Sequence, residues 1–161
     1  MASRAVDLLI AYRVLKMLVT PFNKQPAFKM GIIDDKGKVL KKFRTLTTTG
    51  EKQSYTMLHR FVFNLKRILA KAGIRGALGS FAVAAALLLR ENKKYVQHKE
   101  VIEATVITYL KENNLYEKIL NESREIPEVY TDDKLFCTCF GVDVFERDGE
   151  LRSEFDYAET L

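Results

Sequence analysis

Residues 51–71 read Glu-Lys-Gln-Ser-Tyr-Thr-Met-Leu-His-Arg-Phe-Val-Phe-Asn-Leu-Lys-Arg-Ile-Leu-Ala-Lys. Tyr55, Leu58, Val62, Leu65 and Leu69 recur at alternating steps of three and four, which sets them on one face of a helix. Arg60, Asn64, Arg67 and Lys71 recur at i, i+4, i+7 and i+11 and form a second stripe, flanked by Lys52 and Lys66. The segment is therefore predicted as one helix with a packed face and a cationic face. Such a face suits a phosphate backbone or an acidic protein surface. It equally suits the solvated side of an ordinary globular helix. The run Thr-Leu-Thr-Thr-Thr-Gly at 45–50 supplies a polar loop and a cap ahead of it.

Upstream, residues 4–19 are rich in helix formers, and Asp7, Arg13 and Lys16 leave most of the circumference apolar. This reads as a buried helix or one awaiting a partner, ended by Thr20-Pro21. It is too short and too charged to span a membrane. Residues 27–43 are predicted as a basic β-hairpin. Phe28, Met30 and Ile32 alternate with Lys29 and Gly31, Asp34-Asp35-Lys36-Gly37 supplies the turn, and Val39–Phe43 returns with Lys41 and Lys42.

Downstream, Phe81–Leu89 is an unbroken apolar run, and 77–91 is predicted as the central buried helix. A polar basic stretch at 92–99 leads into a helix at 100–122, with Asn113-Asn114 as a break. Within 134–157, Phe136, Thr138, Phe140, Val142 and Val144 share one parity, as in a strand. Asp148-Gly149 then suggests a hairpin turn, with Phe155 and Tyr157 on the returning strand. The predicted class is α+β: a core of about four helices, a basic hairpin near the N-terminus and an acidic β segment near the C-terminus. Residues 1–122 form the basic, mainly helical part, and 123–161 the acidic part packed on the same domain.

The 161 residues are 47% hydrophobic and 29% charged with only three prolines, which excludes a disordered or collagenous chain. Net charge is +5, but it is unevenly spread. Residues 1–100 hold 20 Lys/Arg against 6 Asp/Glu (+14), and residues 101–161 hold 6 against 15 (−9). Asymmetry of this kind suits a polyanion-facing region beside an acidic module, or two parts that attract within one fold. Cys137-Thr138-Cys139 is no disulfide framework, and no secretory signal is evident at Met1, so a reduced intracellular setting is expected.

Catalytic chemistry finds little support. His59, His98, Cys137 and Cys139 lack zinc-site spacing. Gly73, Gly76 and Gly79 do not end in the Gly-Lys-Ser/Thr of a phosphate loop. Ser80 has no nucleophile-elbow context. Asp34-Asp35 and Asp132-Asp133 fall in predicted turns, where aspartate is favoured for backbone reasons. The expectation is a protein that is not an enzyme and has no cofactor and no metal. Backbone contact to nucleic acid through Arg60, Asn64, Arg67 and Lys71, with Lys41 and Lys42 beside them, fits better.

The runs Val6–Lys16, Val19–Phe22, Ala27–Asp34 and Tyr55–Arg67 resemble a group of small head-assembly, prohead-core or virion proteins of large tailed bacteriophages. The resemblance covers about residues 5–71. It implies a structural or assembly role, with other phage structural proteins or double-stranded DNA as partners, in the virion or the host cytoplasm. It also implies exposure to head-maturation proteases that cut after glutamate in Leu-x-Glu or Ile-x-Glu contexts. Ile126-Pro127-Glu128 and Leu115-Tyr116-Glu117 fit that pattern. Cutting after Glu128 removes 3 Lys/Arg and 9 Asp/Glu and leaves a +11 fragment. The alternative expectation is a small cytoplasmic nucleic-acid-binding protein, without sequence specificity, made during infection.

Overall fold

Ten of the 15 residues of the helix Ala77–Glu91 are buried, and the rest of the protein is arranged around it. The computed structural model describes residues 4–70, 77–123 and 131–158. Its helices in chain order are α1 (Arg4–Val19), α2 (Pro26–Lys29), α3 (Thr49–Ser54), α4 (Met57–Ala70), α5 (Ala77–Glu91), α6 (Lys99–Glu112), α7 (Tyr116–Ser123) and α8 (Glu154–Ala158). Three antiparallel strands, β1 (Lys134–Cys139), β2 (Val142–Arg147) and β3 (Glu150–Ser153), form one sheet in the order β1-β2-β3. The class is α+β.

The small residues of α5 let its neighbours approach closely, and it packs against α4 on one side and the sheet on the other. A Cβ at Gly79 would stand 2.7 Å from the Phe155 ring and 2.8 Å from Ser153 Oγ, so glycine is what lets α5 meet β3 and α8. Val14 and Leu18 of α1, Val62 and Leu65 of α4, Phe81 of α5, Val106 and Leu110 of α6, and Cys139 and Val144 of the sheet share one apolar core. The acidic C-terminal segment is thus part of the same core as the basic helices. Across the bundle, His98 Nδ1 lies 2.6 Å from Asp7 Oδ1 and ties the start of α6 to α1.

Residues 27–43 do not form the predicted hairpin. Pro26 presets φ at the first position of α2, which puts Ala27, Phe28 and Lys29 into a helical turn. Gly31 then takes φ +73°, and Ile32 N donates to Ala27 O at 2.9 Å, which closes the turn as a glycine-terminated helix end. Only the single bridge Ile33–Val39 remains of the strand pairing, around the turn at Asp34, whose Oδ1 accepts from Lys36 N and Lys38 N. These residues build a second, smaller core from Ala27, Ile32, Ile33, Leu46, Tyr55 and Phe63.

The predicted helix 51–71 is two helices. Thr48 and Glu51 exchange reciprocal bonds that start α3, with Glu51 N to Thr48 Oγ1 at 3.1 Å and Thr48 N to Glu51 Oε1 at 3.2 Å. At Tyr55 the chain turns out of helix (φ −142°, ψ 63°) because that ring stacks on Phe63, at 6.0 Å, in the smaller core. Near the C-terminus, two tight turns replace the single parity of 134–144. Phe140-Gly141 and Asp148-Gly149 all have positive φ, as two-residue hairpin turns require. An irregularity between Leu135 and Cys137 shifts the register, so Cys137 and Cys139 face inward in β1 while Thr138 is exposed. Phe155 and Tyr157 lie on α8 rather than on a strand. No helix among the described residues is long and apolar enough to cross a membrane.

Candidate functional site

Two cations of the helical stripe, Arg60 and Arg67, are engaged within the fold. Arg60 lies 3.5 Å from Glu91 and stacks over Phe43 at 5.1 Å. Arg67 Nη1 donates to Gly37 O at 2.6 Å. That bond fixes a turn whose glycine, at φ +83°, abuts Phe22 so closely that a Cβ would fall 2.4 Å from the ring. Asn64 joins Arg60, Arg67 and Glu91 in lining a hollow of about 250 Å³. Lys41 Nζ is 3.7 Å from Glu51 Oε2, and Lys42 is exposed beside it. Lys71 and Glu128 lie outside the described residues.

A larger feature lies beyond the reach of local spacing. The C-terminal half of α1, the 3-10 turn Phe22–Lys24, the α3–α4 junction and the 3-10 turn Lys93–His98 enclose a cleft of about 840 Å³. Arg13, Lys16, Lys24, Lys52 and Lys94 line it, and among the described residues no carboxylate does. All five are exposed, and none is ion-paired among the described residues. Met17, Leu58 and Tyr95 form buried parts of its wall, and Gln53 and Asn92 add amides. Lys94 Nζ stands 5.1 Å from the Tyr95 ring, and Lys16 Nζ 6.0 Å from that of Tyr12. Five cations around one concave surface give a positive potential that like-signed neighbours reinforce.

The back of the cleft is built to hold shape. The last carbonyls of α1 are capped from two sides. Gln25 Nε2 donates to Met17 O at 3.2 Å and Thr20 O at 3.0 Å, and Lys66 Nζ donates to the same two oxygens. Lys66 also lies 4.4 Å from the Phe22 ring. A cation at a helix C-terminus opposes the negative end of its dipole, while burial pushes the Lys66 ammonium down to about 8.

His59 stands in the cleft wall with a structural task. Its Nδ1 accepts from Thr56 N at 3.2 Å, and His59 N donates to Thr56 Oγ1 at 3.3 Å, a reciprocal cap on α4 with histidine in the usual Glu/Gln place. Burial, and then the charge of Arg13, push His59 down to about 4. The folded state therefore holds it neutral while the unfolded chain protonates near 6.5, so stability falls as pH drops from 6.5 toward 4. After allowance for its partial exposure, the loss between pH 7 and pH 5 is roughly 1–2 kcal/mol. His59→Gln keeps the cap and removes this dependence, as urea unfolding of both proteins at the two pH values will show.

No protein-family model, curated protein or solved structure matches this chain. The site is therefore read from its own geometry. Cys137 Sγ and Cys139 Sγ lie 3.0 Å apart on the core side of β1, away from the cleft lining. The hydrogen bond between the thiols and burial push Cys139 up. The cleft cations come from separate parts of the sequence, and their only trace there is the +14 charge of residues 1–100.

Proposed function

We propose that this protein is a non-enzymatic structural or head-assembly component of a large tailed bacteriophage, and that its basic cleft holds DNA or an acidic scaffold or capsid partner. The observation that carries the reading is the cleft itself: five exposed cations around about 840 Å³, none ion-paired and no acidic residue lining it among the described residues. Exposed cations without a carboxylate partner keep their charge available to an incoming polyanion, whereas Arg60 and Arg67 already serve Glu91 and Gly37. His59 spends its Nδ1 lone pair on a helix cap, which favours binding over proton transfer. The resemblance over residues 5–71 supports placement in a phage particle, and Arg13, Lys16, Lys24 and Lys52 lie within that span.

The test has two arms. Purified protein titrated with duplex DNA between about 50 and 300 mM salt should bind with a steep negative salt dependence, since each neutralised phosphate releases counterions. Fractionation of an infected-cell lysate should place the chain with particles. Recovery only in the soluble fraction would replace the structural role with the cytoplasmic nucleic-acid-binding one. Absence of binding at the lowest salt would remove DNA and leave the acidic protein partner.

A further inference from the structure

Helix α1 is apolar on two opposite sides, and only one of them is covered. Ile10, Val14, Met17 and Leu18 face the core. On the far side, Ala5, Leu8, Tyr12, Leu15 and Val19 are exposed, with Leu8 at 64%, Tyr12 at 60% and Val19 at 59%. Their spacing is three, four, three, four, which is the seam of a coiled coil over two heptads. At 100° per residue this stripe is centred roughly opposite the buried one.

We infer that two copies of the chain pair through this face, with their α1 helices antiparallel. This does not rest on the polyanion reading. Area is the first argument. The exposed parts of Leu8, Leu9, Tyr12, Leu15 and Val19 amount to about 450 Å² of contiguous apolar surface, the size of the largest patch on a typical monomer, which is often functional. Doubled across a two-fold axis, the face gives an interface at the small end of the range, that of weak and concentration-dependent pairs.

Side-chain volume chooses the orientation. A parallel pair would stack Tyr12 on Tyr12 and Ala5 on Ala5, crowding one layer and leaving another underfilled. An antiparallel pair sets Tyr12 against Leu15 of the second copy and Leu8 against Val19, so large and smaller side chains alternate. The interface is isologous and closes on itself. A two-fold axis normal to the helix pair carries the Lys16 shoulder of both copies to one side. The two basic clefts then lie on the same side of the dimer.

Sedimentation of the full chain at about 100 µM should give twice the 18.5 kDa chain mass. Leu8→Glu with Leu15→Glu should return it to a monomer with an unchanged circular dichroism spectrum, because both residues are exposed within one chain. Orientation is read by cross-linking in a Cys137→Ala, Cys139→Ala background that retains the wild-type mass in solution. Chains carrying Leu8→Cys mixed with chains carrying Val19→Cys should form one mixed disulfide dimer under mild oxidation. A monomeric wild type, an oligomer indifferent to the two glutamates, or cross-linking of Leu8→Cys only to itself would each overturn the inference. A wild type that is monomeric in solution and sediments with lipid vesicles would likewise overturn it and assign the face to a membrane surface.

Discussion

If the cleft holds DNA as proposed, combined Lys24→Glu, Lys52→Glu and Lys94→Glu substitutions are expected to weaken duplex DNA binding by about 100-fold or more at low salt, and to lower the salt slope by about three. The three lysines come from the turn after α1, from α3 and from the turn before α6, yet they line one cleft. Each is exposed and free of ion pairs among the described residues, so reversal leaves stability within about 0.5 kcal/mol. Arg60→Ala with Arg67→Ala behaves in the opposite way. Those changes strip the Glu91 pair and the Gly37 carbonyl bond, so they cost stability and leave the salt slope near that of the wild type. Fluorescence anisotropy across a salt series, with urea unfolding of each variant, separates the two behaviours.

The largest effect on folding is expected at Phe81. Its side chain is fully buried at the centre of α5 and meets Phe140 edge-on, with ring centroids 5.9 Å apart. Phe140 occupies the first position of the β1–β2 turn with φ +53°, where a large side chain is rarely found. Two contacts hold it there: the Phe81 ring, and a bond of 2.9 Å from its N–H to Glu103 Oε1 on α6. Phe81→Ala therefore removes core packing and one of the supports of that turn. We expect a loss of about 3–5 kcal/mol, a large share of the 5–15 kcal/mol that single domains usually have. Val96→Ala, at an exposed position, should change stability by less than about 0.5 kcal/mol. Urea unfolding followed by circular dichroism measures both.

Much of the helical framework was legible because its signals are local. Thr20-Pro21 ends α1, the Ala- and Leu-rich run makes α5, and Asn113-Asn114 divides α6 from α7. The Asp148-Gly149 turn was readable from residue type. In each error one local pattern yielded to a second signal, adjacent in sequence in one case and further along the chain in the others. Phe28, Met30 and Ile32 alternate as in a strand, but Pro26 and Gly31 start and stop a helical turn there. Tyr55 keeps helical spacing with Leu58, but stacking on Phe63 breaks the helix beside it. Phe140-Gly141 went unread because phenylalanine seldom takes positive φ, and Phe81 and Glu103, which secure it, come from other helices.

The cationic stripe illustrates the same limit at the site. Spacing correctly collects Arg60, Asn64 and Arg67 along α4, and all three line one hollow. Spacing does not show that the segment 22–46 folds over that helix and engages Arg67. The cleft has no local signature, because Arg13, Lys52 and Lys94 are joined only by the packing of α1, α3 and the turn at 93–98. Only the charge count of the first hundred residues hinted at it.

The most direct measurement is amide chemical-shift mapping of the isotope-labelled protein during titration with a short DNA duplex at low salt. The account predicts that the largest shifts fall on Arg13, Lys16, Lys24, Gln25, Lys52, Gln53, Lys94 and Tyr95, around one cleft. Shifts confined to Arg60, Asn64 and Arg67 would contradict it.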